Sequence, residues 1–428
     1  MRTRAKRKHV ASDRARRENV PRHILYDRFL SQIDSYHRKC SAGMRTRTKR
    51  KHVAEIKLQE VDDMYQILMP GRTMVGENAI SMAKEQISQL GSHALIISGK
   101  IVEKSGIVKK LTDSLDEADV SYTIFTDIKG EPDDLMVAAA KKVYDTEGCD
   151  MVIGIGGGSP QDSAKAVSAA SGYAPIVLIP TTAGSGSEAT KFYCVTESAT
   201  DTKKLITDEK VIPRLAVIDP TLSVTAPKSI TAATGMDALT HAVEAYTSRK
   251  ATPYTDIFAI SAIKRVFTYL PAAYENGADL EARTQMALAA YEAGVCINNA
   301  SVTLVHGMSR PIGALFHVPH GISNAMLISK CLAFAEDGCI SRFAAIGRAL
   351  GAEGSDQECA DAFFVSLEDL CKTIEIPTLE AYGINKEAFF EKMDKMADDA
   401  LASGSPGNTI KEVTKEDILQ IYKKLWEA

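Results

Sequence analysis

An apolar strand at residues 151–155 (MVIGI) runs straight into Gly156-Gly157-Gly158-Ser159-Pro160 and then into a small-residue helical stretch, QDSAKAVSAAS. A strand with no polar alternation offers no face to water, so the rest of the chain must cover both of its sides. The flanking sequence has that form. Residues 93–98 (HALIIS), 121–126 (SYTIFT) and 175–179 read as further short strands, with helical patterns at 106–119 and 133–147 between them. Alternating apolar strands and helices predict a parallel, doubly wound sheet. Beyond about Asp219 the pattern becomes long, Ala-, Leu- and Met-rich and helical. The expected architecture is an α/β half followed by an all-helical half, joined over residues 219–227.

Glycines let a ligand approach the backbone, and the unpaired N–H groups of a helix start attract phosphate. Ser159 suits the N-cap of that helix and Pro160 its first position. A glycine turn that merely joins strand to helix has the same form. A second small, hydroxyl-rich segment, PTTAGSGSEAT (180–190), follows another strand. Ligands of open α/β sheets sit at such strand ends, so the pair predicts a nucleotide cleft.

In the helical half, Asp237 and His241 stand four residues apart, on one helix face. His306 and His320 lie farther on, amid Val, Leu, Ile and Phe, with His317 a competitor for His320. Buried imidazoles need partners. One carboxylate and three neutral imidazoles suit a borderline divalent ion such as Fe(II), Zn(II) or Co(II). Core histidines held by backbone hydrogen bonds, with Asp237 and His241 a surface pair, would read the same way.

Taken in series, GIGGGSPQDSAKA, IPTTAGSGSEAT, ATGMDALTHAVEAYTS and LVHGMSRPIGALFHVPHG resemble the iron-containing (group III) alcohol dehydrogenase family. The resemblance runs from about Met64 to the C-terminus. It implies a Rossmann-like dinucleotide-binding domain at 64–222 and a helical, metal-binding domain at 223–428, of the dehydroquinate synthase-like fold. It further implies metal ligation by Asp237, His241, His306 and His320. Gly157, Gly158, Ser159, Asp162, Thr181, Thr182 and Ser185 would hold the cofactor, with Lys204 at the ribose or nicotinamide end. The implied reaction is hydride transfer between NAD(P)(H) and a small primary alcohol or aldehyde, with Fe2+, or failing that Zn2+, as Lewis acid. A homodimer or larger homo-oligomer is implied as well. The alternative is a dehydroquinate-synthase-like or glycerol-dehydrogenase-like metalloenzyme on the same fold.

Three positions depart from the family's pattern. Arg310 stands where many members carry a histidine, and a guanidinium cannot shuttle a proton near neutral pH. Arg310 would instead orient an anionic group or the cofactor, leaving water or His317 to relay the proton, or would simply be an arginine paired in the domain cleft. NAD-preferring relatives tend to carry an acidic residue after the first strand, whereas this chain has Ser98-Gly99-Lys100. That substitution predicts NADP(H) in preference to NAD(H), with Gly99 at the ribose. Lastly, SGSPGNTIK (403–411) replaces a common Asn-Pro-Arg, with loss of a local brace expected.

Charge divides the chain unevenly. Residues 1–63 carry 18 Lys+Arg against 8 Asp+Glu, and the remainder 33 against 47. The basic part repeats itself, MRTRAKRKHVA at 1–11 returning as MRTRTKRKHVA at 44–54. Clustered cations are what a nucleic-acid arm would use. The expectation is instead a segment without such a role, disordered or non-native, with Met64 as the true start, so no nucleic-acid partner is expected. The eight scattered cysteines include no C-x-x-C pair and read as reduced thiols. With no apolar run long enough for a membrane span, the expected location is the cytoplasm.

Overall fold

Strands β1 (Thr73–Val75), β2 (His93–Ile97), β3 (Ser121–Phe125), β4 (Met151–Gly156), β5 (Ile176–Pro180) and β8 (Leu215–Ile218) pair in parallel, in the order β1-β8-β5-β4-β2-β3. The computed structural model describes residues 65–128, 130–199 and 202–427. The basic repeat and the expected start at Met64 lie outside the described residues.

Both sheet faces are buried, as the unalternating strands require. Ile96, Ile153 and Val177 pack with Leu111 and Leu115 of α1 (Ile107–Asp116) on one side. Leu95, Val152 and Leu178 meet Ala164 and Val167 of α3 (Gly158–Ala170) on the other, with α2 (Asp134–Glu147) alongside. Strand β3 lies on one side of β2, and β4 and β5 on the other, so the chain changes direction between β2 and β4. Loops leaving the carboxyl ends of those two strands therefore open side by side, the place where such sheets bind ligands. Ser98 Oγ ties them by donating to the Ile155 carbonyl at 2.8 Å.

Two sheet strands escape the sequence pattern. β1 has three residues, and the four of β8 lie at the edge of the helical half, too short for periodicity to register. A separate antiparallel hairpin, β6 (Phe192–Glu197) and β7 (Thr202–Thr207), is also unanticipated, because TKKLIT is largely polar.

The helical half begins at Lys228. Helix α4 (Lys228–Tyr246) is buried almost all round, packed among α5 (Pro253–Glu275), α6 (Leu280–Ala300) and α8 (His320–Ala335). Such a helix gains stability from every face, and its Ala-rich sequence lets neighbours come close. Helix α7 (Leu304–Phe316) leads into α8 through His317. A small apolar cluster joins the halves: Ala189 and Ile218 pack on Tyr291 and Val295 of α6. Beside it a Cβ on Gly186 (φ 59°) would fall 2.6 Å from the Gly294 Cα, so only glycine allows this approach.

All seven described cysteines are unpaired, five of them buried. Among the described residues no helix is long and apolar enough to cross a membrane.

Candidate active site

Helix periodicity assembles the polar cluster. On α4, Asp237, His241 and Glu244 recur at i, i+4 and i+7, one face of the helix. Helix α7 brings His306 in its first turn, and His320 opens α8. Asp237 Oδ1 lies 3.9 Å from His241 Nε2, 3.7 Å from His306 Nε2 and 3.7 Å from His320 Nε2. Bonds of about 2.1 Å at tetrahedral angles place neighbouring donors about 3.4 Å apart, close to the spacing between Asp237 Oδ1 and each ring nitrogen. Asp237, His241 and His306, whose donor atoms all lie within 4.8 Å of one another, are the only group of three or more His, Cys, Asp or Glu donors of this kind among the described residues; His320 stands outside that group, near Asp237.

Charge states suit ligation. Burial pushes Asp237 up, but His241, His320 and His306 outweigh it and hold the carboxyl well below its usual range. Burial lowers His241 to about 4 against the pull of Asp237, and drives His320 down as well. Both rings are thus neutral, with lone pairs to give. His306 differs: burial lowers it, yet Glu244 and Asp237 win and raise it.

Glu244, which the sequence reading passed over, is the reason. Fully buried, its Oε2 lies 2.5 Å from His306 Nδ1, and its Oε1 accepts from Thr303 Oγ1 (2.8 Å) and the Val305 N–H (2.6 Å). A carboxylate on Nδ1–H leaves the Nε2 lone pair facing Asp237, the partner that fixes a metal-binding imidazole. Its seven-residue spacing from Asp237 was a legible signal. Asn324, one turn after His320, was also missed. Its amide donates to Asp237 Oδ1 (2.8 Å) and lies 3.2 and 3.3 Å from the Nε2 atoms of His306 and His320. His317 is not brought into this cluster. It caps α7 in a left-handed conformation (φ 53°) and is exposed.

The glycine loop also departs from expectation. Gly157, not Ser159, is the N-cap of α3, and no side chain caps it. Ser159 and Pro160 fall inside the first turn, so its N–H groups remain open to a ligand. Gly156 takes φ 151°, and a Cβ there would strike Pro160 at 2.7 Å. Opposite, Thr181 N–H donates to the Gly156 carbonyl at 3.0 Å, setting the two loops edge to edge. Thr182 and Ser185 lie 3.5 Å from where side chains on Gly157 and Gly158 would begin, so glycine keeps this cradle open. The same loop reaches the metal cluster's helix, since Gly184 abuts Thr234 of α4.

Asp162 fastens the cradle from below. It accepts from Ser187 Oγ (2.8 Å) and the Cys194 N–H (3.0 Å). Lys165, wholly buried one turn later, lies within 2.6–3.1 Å of four oxygens: Ser187 O and Oγ, Thr190 Oγ1 and Phe192 O.

Lys204 is engaged on its own hairpin. Its ammonium pairs with Glu197 at 2.9 Å on the same hairpin and its side chain is half exposed. Lys203, its neighbour on the opposite face, is likewise exposed and pairs with Glu131, while its charge is also felt at Asp162, Cys194 and His320. A one-residue difference along a strand changes sides, so the two lysines meet different carboxylates, and only the hairpin register reveals which.

The C-terminal segment retains its brace. Asn408 Nδ2 donates to Ser301 Oγ (3.1 Å) and the Val302 carbonyl (2.9 Å), and Pro406 packs on Gly307 of α7. Arg249 binds the carbonyls of 408–410, so Asn408 and Arg249 brace this segment.

Residues 70–220 match the family described as Iron-containing alcohol dehydrogenase, and residues 231–426 match Fe-containing alcohol dehydrogenase family, C-terminal. The chain belongs to the iron-containing alcohol dehydrogenases. It is 37% identical to the NAD-dependent methanol dehydrogenase of Bacillus methanolicus, over 84% of this chain and 99% of that one. The 1,3-propanediol dehydrogenase of Citrobacter freundii is 34% identical, over 84% and 98%. A crystal structure of a 1,3-propanediol oxidoreductase superposes with a TM-score of 0.82 at 32% identity, covering 85% of this chain and all of that one. An iron-containing alcohol dehydrogenase with this two-part fold is an oxidoreductase of alcohol and aldehyde groups.

Proposed function

We propose that this protein is a metal-dependent alcohol dehydrogenase and aldehyde reductase that exchanges hydride between a nicotinamide dinucleotide and a small primary alcohol or aldehyde. The observation that carries the reading is the ring of three imidazole nitrogens around Asp237 Oδ1, one loop away from an open glycine cradle.

Residues 64–222 form the dinucleotide-binding part in this reading, and 223–428 the metal-binding part. Open N–H groups of the first turn of α3 take the pyrophosphate, with the hydroxyls of Thr182 and Ser185 beside it and Lys203 on the facing hairpin. Asp237, His241, His306 and His320 hold the ion, Fe(II) or else Zn(II), while Glu244 keeps the His306 Nδ1 proton away from it. When bound, the ion supplies Lewis-acid polarisation of a carbonyl or a lowered alcohol pKa, and the nicotinamide gives or accepts hydride. Substrate reaches the cluster from the His320 side, where the side chain is 36% exposed against 3–8% for the other three. Arg310 holds its proton throughout, and His317 stands apart, so protons exchange with water at that opening. A cytoplasmic homodimer or larger assembly belongs to the same proposal.

The cofactor preference needs revision. Lys100 pairs with Asp127 at 2.9 Å, and Asp127 bridges to Gly99 through the backbone. That cation is therefore balanced, and a carboxylate stands near the place where a 2'-phosphate would lie. Together with the NAD-dependent relative, this supports use of NAD(H) alongside NADP(H), without the expected preference for NADP(H). Gly99 has open space around its Cβ position and an ordinary φ of −95°, so aspartate fits there without strain. Gly99→Asp lowers kcat/KM for NADPH about tenfold or more, by charge repulsion at the 2'-phosphate, and changes the NADH value little. Unchanged NADPH kinetics would remove Gly99 from the ribose site.

The direct test is anaerobic turnover of short aldehydes with NADH and NADPH, after chelation and after restoring Fe(II) or Zn(II). Activity vanishes on chelation and returns with the ion. Full turnover in the chelated protein would refute the proposal.

A further inference from the structure

Arg310 is a half-buried cation without a matching anion among the described residues. It lies one turn beyond His306 on α7, on the same helix face, about 6 Å along the axis. One of its five N–H groups donates to Ser405 Oγ at 2.8 Å. Among the described residues no carboxylate lies within ion-pair distance of it. The interior anions that feel its charge are otherwise engaged: Glu244 has both oxygens taken by His306, Thr303 and Val305. Across the cleft the guanidinium's charge reaches Cys194, whose N–H is bound to Asp162 beneath the glycine cradle.

Keeping an unpaired guanidinium partly out of water costs free energy that an arriving anion recovers, because its fork of donors matches a carboxylate, sulfonate or phosphonate. The dinucleotide's pyrophosphate has its own partners in the first turn of α3. Arg310 belongs instead to the helix that carries His306, on the side of the reacting carbonyl. We infer that Arg310 is a specificity-determining residue, and that the preferred substrate is a short aldehyde with an anionic group at its far end. This rests on the metal-dependent reductase reading above, and it goes beyond that reading by naming what the substrate must carry. Ser405, in the segment braced against α7, holds the guanidinium in place.

The test compares 4-oxobutanoate and sulfoacetaldehyde with butanal and propanal, using the metal-loaded wild type, Arg310→Met and Arg310→Lys. Wild type favours the anionic aldehydes by about 100-fold or more in kcat/KM, the scale set by a desolvated charge pair. In Arg310→Met that ratio collapses towards one, and Arg310→Lys restores part of it. The carboxylate and sulfonate arms distinguish the two anions. Calorimetry of butanoate and ethanesulfonate on the metal-free protein supplies a second readout: the wild type binds, and Arg310→Met does not. Equal use of butanal and 4-oxobutanoate by the wild type would overturn the inference. So would an Arg310→Met variant that raises only the KM for the nucleotide. Should no aldehyde of either kind react, the reductase reading fails, and the calorimetric arm still decides whether Arg310 receives an anion. If Arg310→Met does not fold, Arg310→Lys carries the comparison.

Discussion

Asp237→Ala abolishes metal retention and lowers kcat/KM for aldehyde reduction by at least about 10³-fold, the several kcal/mol that an ion's Lewis acidity supplies. Three imidazole nitrogens lie 3.7–3.9 Å from its Oδ1, and it is the only anionic member of the set. Without it the ion meets three neutral rings and the Asn324 amide, which presents hydrogens rather than a lone pair. Glu244→Gln makes the informative contrast. Glutamine preserves the shape that receives Thr303 and Val305 but removes the charge on His306 Nδ1–H, which weakens metal binding about 10- to 100-fold. Excess metal therefore restores activity to Glu244→Gln and not to Asp237→Ala. Competition against a chromophoric chelator reads both affinities. Stoichiometric metal in Asp237→Ala would place the ion elsewhere.

Lys165→Met destabilises the fold by about 3 to 5 kcal/mol, because it leaves the buried acids Asp162 and Glu188 without their cation. Four oxygens at 2.6–3.1 Å also lose their donor, and with it the 187–192 segment loses its anchor. In a chain of this size the melting temperature falls by roughly 3 to 7 °C. Nucleotide affinity falls with it, since Ser187 and Asp162 support the cradle, whereas metal affinity does not, because the ligands stand on α4, α7 and α8. Burial lowers Lys165 to about 8 against the pull of Asp162 and Glu188. The folded protein thus holds this proton less tightly than the unfolded chain, whose lysine titrates near 10.5, so stability contributed here rises with pH from about 8 to 10.5. The difference between wild type and Lys165→Met widens across that interval in thermal melts. A constant difference would mean that the fold does not shift the titration of Lys165.

The legible parts of this chain were those in which one residue implies its neighbour. Unalternating strands demand helices on both sides, and β2 to β5 with α1 to α3 follow the sequence pattern closely. Asp237 and His241 share a helix face by spacing alone. Glu244 was equally readable on that face, and went unseen because a glutamate in a helix is ordinarily a solvated one. Lys203 was not readable. Its side of β7 depends on a hairpin register that TKKLIT does not announce, and Lys204 looks equivalent until the pairing of β6 with β7 is known.

What the sequence determined by itself was the order of strands and helices, the open glycine cradle and the kinds of donor available. These depend on interactions within a few residues, where backbone geometry leaves few choices. Only the tertiary structure decided that His306 and His320 reach Asp237, that Glu244 stands behind His306, that Asp127 balances Lys100 and that Arg310 has no anion of its own. Each of these is a meeting of elements distant in the chain, set by how helices and sheet pack, and a linear pattern does not encode which charges that packing brings together or keeps apart.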